Sequence, residues 1–262
     1  MRQGVCFLLA AALLIPQSVQ AQMQPHRAEY LLRLGAAANA PRIGTAVQDI
    51  TRDCDGWHIK RDIASAIAFT PSLKMSLASQ LEGDEDRSGD VFRYHTVLTQ
   101  NGDARKTQGR VERANGETRS EIVSPQGSTR AILPPPTLMP VAALGHLIDR
   151  LAAKAAVAPT LIFAAEAMGD VFQVEVKEVG SEALRAEPPA IKPVAVPAAR
   201  FWPLLMTFTR AQDQERKPLF SVQAKLSDTG VLDRLTVDAG VATVTADLQA
   251  LEMHPAPACS KP

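Results

Sequence analysis

Alternation dominates this chain. In most of its segments apolar side chains recur at every second position, the period of a strand with one buried face. In the first run Ala28, Tyr30, Leu32 and Leu34 share a face. Runs at 43–52 and 56–64 follow, and the second sets Trp57, Ile59, Arg61 and Ile63 against His58, Lys60 and Asp62. Residues 72–82 begin at strand spacing and end at helix spacing; they are read as a strand. From Gly89 to Thr99 the pattern clears again, with Phe92, Tyr94, Thr96 and Leu98 on one side. Asn101-Gly102-Asp103 predicts a hairpin, because Asn-Gly accepts the positive φ of a type I′ turn. Residues 104–113 return, Asn115-Gly116 turns once more, and 117–124 continue the meander.

The rhythm breaks at Leu133-Pro134-Pro135-Pro136-Thr137-Leu138-Met139-Pro140, whose prolines remove ladder donors. A helix is predicted next, over about 141–156, with Leu144, Leu147, Ile148 and Leu151 in an i, i+3, i+4, i+7 stripe and no breaker before Pro159. Strand patterns resume at 160–165 and 171–179. A Pro/Ala-rich stretch, about 188–199, reads as an extended loop. Strands return at 201–210, 218–227, 231–238 and 241–251, with turns at Thr229-Gly230 and Ala239-Gly240. One helix among a dozen or so strand-like runs predicts a mainly β fold. The expected form is a single strongly curved antiparallel sheet, a spiral or broken barrel, with one main helix capping it.

The N-terminus changes the reading of the rest. Arg2, the apolar run Val5–Ile15 and the small residues of Val19-Gln20-Ala21 read as a signal peptide over 1–21, cleaved before Gln22. That run is shorter than the ~20 residues a spanning helix needs. The expectation is therefore a single periplasmic β-spiral domain over 22–262, exported, soluble and without a transmembrane segment after cleavage. Of the 3 Cys, Cys6 leaves with the leader. Cys54, in Asp53-Cys54-Asp55-Gly56-Trp57, and Cys259, in the tail Pro255-Ala256-Pro257-Ala258-Cys259, remain. An even pair in an oxidising compartment favours a disulfide; two free thiols are the alternative. Such a link would stabilise the fold by roughly 5 kcal/mol in the chain-entropy model.

Charge and motifs narrow the chemistry. Basic and acidic residues balance at 28 each, which argues against a nucleic-acid footprint. There is no GxSxG, HExxH, Walker or GxGxxG pattern. His26, His58, His95, His146 and His254 are scattered without ligand spacing and read as surface or edge-strand residues. Asp84-Glu85-Asp86-Arg87-Ser88-Gly89 starts like a calcium loop, yet His95 stands where the bidentate Glu belongs, so a solvated acidic turn is expected. Neither catalytic residue, cofactor nor metal is anticipated, and the chain is not read as an enzyme.

The ordered motifs carry a resemblance. His26-Arg27-Ala28-x-Tyr30-x-Leu32 is followed by Cys54-Asp55-Gly56-Trp57, then by Leu133-Pro134-Pro135-x-Thr137-Leu138-x-Pro140. Trp202-Pro203, Leu226-x-x-x-Gly230-Val231, Leu235-x-Val237-Asp238-x-Gly240, Leu251-Glu252 and Cys259 come after. In this order they resemble the cell-envelope integrity protein B (EipB-like) family. A His expected in the central motif is absent, Val141-Ala142-Ala143 standing there, and the tail strands are poorer in aromatics. The resemblance implies a periplasmic β-spiral in a broken barrel, and a disulfide mapping onto Cys54 and Cys259. It also implies support of cell-envelope integrity and stress resistance, through binding a periplasmic tetratricopeptide-repeat protein. The alternative is a carrier for a lipid, lipoprotein or hydrophobic peptide, with Phe92, Tyr94, Leu98, Leu248 and Leu251 as groove residues; plain core is their other reading.

Overall fold

The computed structural model describes residues 23–68, 74–189 and 193–259. The segment read as a signal peptide lies outside these. Eight strands come first: β1 (His26–Leu34), β2 (Arg42–Arg52), β3 (Gly56–Ala68), β4 (Lys74–Asp86), β5 (Val91–Gln100), β6 (Asp103–Ala114), β7 (Glu117–Ser124) and β8 (Gly127–Leu133). The two-residue β9 (Thr137–Leu138) leads into helix α1 (Pro140–Ala152). Beyond it lie β10 (Thr160–Ala164), β11 (Asp170–Glu178), β12 (Phe201–Arg210), β13 (Pro218–Ser227), β14 (Leu232–Asp238) and β15 (Thr243–Met253).

All fifteen strands form one sheet, in the order β8-β7-β6-β5-β4-β3-β2-β1-β15-β14-β13-β12-β11-β10-β9. Every neighbouring pair is antiparallel except β9 with β10. The first and last strands therefore lie side by side in the middle, with His26 opposite Met253. Each half is a meander of hairpins. Asn101 (φ 50°) and Gly102 (φ 93°), like Asn115 (φ 53°) and Gly116 (φ 81°), adopt the left-handed pair that their sequence predicts. The strand reading of 72–82 holds where it is described, in β4.

Register shifts that leave Gln249 of β15, Ile43 of β2, Leu219 of β13 and Asp233 of β14 unpaired mark bulges, which increase twist and bend a sheet. The curvature brings β10, next to the β9 edge, against the inner face of β5, three strands in from the β8 edge, without joining them by a ladder. Phe163 of β10 packs against Phe92 and Tyr94 of β5, at ring-centroid distances of 6.3 and 5.6 Å. Arg61 of β3 pairs with Glu166 at 2.5 Å, across the same gap. The result is a barrel nearly closed by side chains, with a core of Ile59, Leu81, Phe92, Val111, Phe163 and Leu204. A second cluster, around Ala28, Tyr30, Leu32 and Leu248, fills the region where β1 and β15 pair.

Helix α1 buries Ala143 and sets Val141, Ile148 and Leu151 in the first cluster, roughly 1.5–3 kcal/mol for each large side chain. It stops four residues before the end that its periodicity predicts. Lys154 takes φ 52°, while Ala155 N–H reaches the carbonyl of Arg150 and Lys154 N–H that of Leu151. This is a Schellman closure with lysine where glycine is usual, so nothing in the residue types announces it. The sequence pattern also ends the first meander at 124, whereas β8 adds a further strand. Six of its seven residues are exposed, so it has no apolar alternation to read.

The opposite face holds a buried ion network. Arg33 and Asp247, each 2 % exposed at the side chain, pair at 2.5 Å, and Arg234 reaches Asp247 at 3.0 Å. Arg33 also donates to the carbonyls of Ala37 and Glu187, and Arg234 to that of Ala186. These bonds tie down the start of the Pro/Ala-rich segment, and Val194 and Val196 pack on the second cluster.

Candidate functional site

Between α1 and the inner face of the sheet lies a cavity of about 260 Å³. Its apolar walls include Leu81 of β4, Leu144 and Leu147 of α1, Phe163 of β10, and Met206 and Phe208 of β12. Strand alternation and the helical stripe aim these side chains inward from elements far apart in sequence. At the polar end Arg61 holds Glu166 and, through two nitrogens at 3.1 and 2.8 Å, Gln48 Oε1. An aliphatic chain or apolar side chain fits such walls, with its polar end beside the Arg61–Glu166 pair. Among the described residues, no three of His, Cys, Asp and Glu gather to hold a metal ion.

The helix that roofs the cavity is capped from a distance. No side chain near Met139 caps it; the Glu85 carboxylate accepts Val141 N–H at 2.7 Å and Ala142 N–H at 2.6 Å. Glu85 is 2 % exposed. Burial pushes its carboxyl up to about 7, against the downward pull of those two N–H donors. The expected solvated acidic turn is thus corrected at its centre. Counting in steps of two from Leu81 and Gly83 places Glu85 on the inward face, a signal present in the sequence but overridden by its charge. Asp84 and Asp86 stay outward, and Asp86 accepts the N–H groups of Asp90 and Val91.

Cys54 and Cys259 form a disulfide with a Cα separation of 5.5 Å. The tail reaches it by way of His254, whose N–H donates to Pro25 O and whose Nε2 meets Asp49 at 2.8 Å. The turn carrying Cys54 is held by Asp53, whose Oδ1 accepts Asp55 and Gly56 N–H. His58 lies between Asp84 (2.6 Å) and Asp53 (2.7 Å), and these carboxylates raise its pKa. His58 is a surface residue as expected, 42 % exposed, and also clamps the turn to β4; His26, expected at the surface or on an edge strand, is fully buried on the central strand β1.

The five groove residues do not share a groove. Phe92 and Tyr94 stack on each other at 5.5 Å, inside the first cluster. They lie flat across Gly83 and Gly109, where a Cβ would come within 2.6 Å of the Phe92 ring and 2.5 Å of the Tyr94 ring. Leu98 faces the same way but lines a separate hollow, with Arg105 and Met168. Leu248 is buried in the second cluster, and Leu251 packs against it. Strand phase identifies inward residues correctly; which of them meet depends on how the sheet curls.

Residues 17–255 match the EipB-like family. The chain belongs to the EipB-like family. Among solved structures, this EipB-like chain is similar to a beta-barrel-like protein of a domain of unknown function from Brucella abortus. The TM-score is 0.70 at 18 % identity, covering 90 % of this chain and 100 % of that one, a likeness of fold. No curated protein matches. The motifs that carried the EipB-like resemblance now have places. Cys54-Asp55-Gly56-Trp57 makes the β2–β3 turn, and Leu133–Pro140 crosses from β8 to α1. Trp202 is buried in β12, and Gly230, at φ 89°, turns β13 into β14. No helix among the described residues is long and apolar enough to cross a membrane, which says nothing of strands.

Proposed function

We propose that this chain works in the periplasm as a non-enzymatic protein that supports cell-envelope integrity by binding another envelope protein. The observation that carries this reading is membership of the EipB-like family over nearly the whole chain. Two features support it. The leader-like N-terminus and the Cys54–Cys259 bond both suit an oxidising compartment. The barrel also stays open, leaving sheet edges to which a partner has access. A tetratricopeptide-repeat periplasmic protein is the partner class to test first. The experiment is growth of a strain deleted for the chain, in detergent and in cell-wall antibiotics. Sensitivity that the restored gene cures is the expected result, and an unaffected strain would overturn the reading.

The cavity beneath α1 favours a second reading, a carrier for a lipid, lipoprotein or hydrophobic peptide. Its mainly apolar walls, with Arg61, Glu166, His146 and Thr160 as the polar lining, suit an acyl or aliphatic guest better than a polar one. Native mass spectrometry of the exported protein separates the two: co-purified lipid supports the carrier, and a bare chain supports the binding protein.

A further inference from the structure

The two ends of the sheet are unlike. β9 has two residues and is hemmed by Pro134, Pro135, Pro136 and Pro140, a form of edge that resists pairing. β8 has seven residues, contains no proline, and pairs with β7 in unbroken register from Ser124↔Gly127 to Thr118↔Leu133. Pro125-Gln126 is a two-residue hairpin loop, so Ser124 and Gly127 form its hydrogen-bonded closing pair. Bonded pairs then alternate along the ladder, placing Gly127, Thr129, Ala131 and Leu133 in bonds to β7. Ser128, Arg130 and Ile132 instead direct their N–H and C=O groups away from β7, to the open edge. Their side chains share one face, where Ile132 is 67 % exposed. Arg130 there spends Nε and Nη2 on Glu121 Oε1 and keeps Nη1 toward solvent.

We propose that an extended segment of another polypeptide adds to β8 as a further antiparallel strand, with a carboxylate opposite Arg130 and an apolar side chain opposite Ile132. Main-chain bonds supply the attachment and the two facing side chains supply the choice of segment. A second copy of this chain fits less well. Two β8 edges overlapping fully and antiparallel pair Arg130 with Arg130 of the other copy, and like charges directly opposite destabilise a ladder. The inference rests on the protein-binding reading and names the recognition chemistry within it.

The direct test is amide exchange on the full, oxidised chain with two short peptides of alternating Val and Thr. One carries Glu, and the other Lys, at the position meant for Arg130. Saturating Glu peptide is expected to slow the Ser128, Arg130 and Ile132 amides by roughly tenfold or more, and Lys peptide less. Arg130→Glu reverses the preference. Unchanged exchange at those amides, or slowing only beneath α1, overturns the proposal. Slowing at high protein concentration without peptide assigns the edge to a second copy and overturns it too.

Ile132→Pro provides the cellular arm. It removes an outward donor and leaves the β7–β8 ladder intact, so the melting temperature should stay that of Ile132→Val. Ile132→Val is expected to restore detergent resistance to a deletion strain, and Ile132→Pro to fail. Full restoration by Ile132→Pro sinks the edge and leaves the envelope role standing. A deletion strain without a defect sinks that role and leaves the edge to the exchange measurement.

Discussion

Glu85 stands on a buried face because its carboxylate answers two N–H groups that the helix cannot satisfy itself. Burial holds its folded pKa at about 7, above the ordinary 4.5 of a glutamate. The folded state therefore holds this proton more tightly than the unfolded chain does. The stabilisation is complete below the unfolded value and is lost as pH rises through about 7, a change of order 3 kcal/mol. Urea unfolding across that window should show the parent losing stability relative to Glu85→Gln; equal pH slopes would refute the assignment. Lys154 makes a second residue-scale case. A left-handed φ costs a lysine roughly 1–2 kcal/mol, part of which glycine returns through its freer unfolded chain. Lys154→Gly is expected to raise stability by about 0.5–1 kcal/mol, read from the urea midpoint, and a loss would contradict the Schellman closure. Both residues were visible in the sequence as charges on a surface. Their roles come from distant or backbone partners that residue type does not announce.

At the scale of elements, alternation was the dependable signal, and it worked wherever one face is buried. It located β1 to β7 and β10 to β15 with modest boundary errors, and it failed at β8, which buries only Leu133. The cysteine pair was legible for a different reason, since setting aside the leader-like stretch leaves two thiols, the second in a Pro/Ala tail with no strand pattern to hold it. The bond joins that tail to the β2–β3 turn across a separation of 205 residues. Cys54→Ser and Cys259→Ser are each expected to lower the melting temperature under oxidising conditions, by an amount equivalent to at most ~5 kcal/mol. Reductant should lower the parent and leave both variants where they are. Two titratable thiols in the native parent would show the bond to be absent.

For the whole molecule, the closing of the barrel was out of reach of sequence reading. Periodicity says which side chains face inward; it does not say that Phe163, beside one edge of the sheet, meets Phe92 and Tyr94 on β5 across the curl. The cavity beneath α1 draws its walls from β3, β4, α1, β10, β11 and β12, which only the curl brings together, so the candidate site could not be drawn from the sequence. Phe163→Ala should cost about 3–5 kcal/mol in urea unfolding. Less than about 1 kcal/mol would mean that the gap is held by other groups. The placement of β1 beside β15 has one more consequence. Met253 lies against His26, so a short peptide linker from the end of β15 to the start of β1, bypassing the tail that carries Cys259, joins the two strands as a hairpin. Opening the chain instead in the exposed turn between β12 and β13 gives a circular permutant. The central seam then forms from neighbouring strands of one hairpin, and the permutant should fold faster than the Cys54→Ser variant, which likewise lacks the disulfide, as refolding after urea dilution will show.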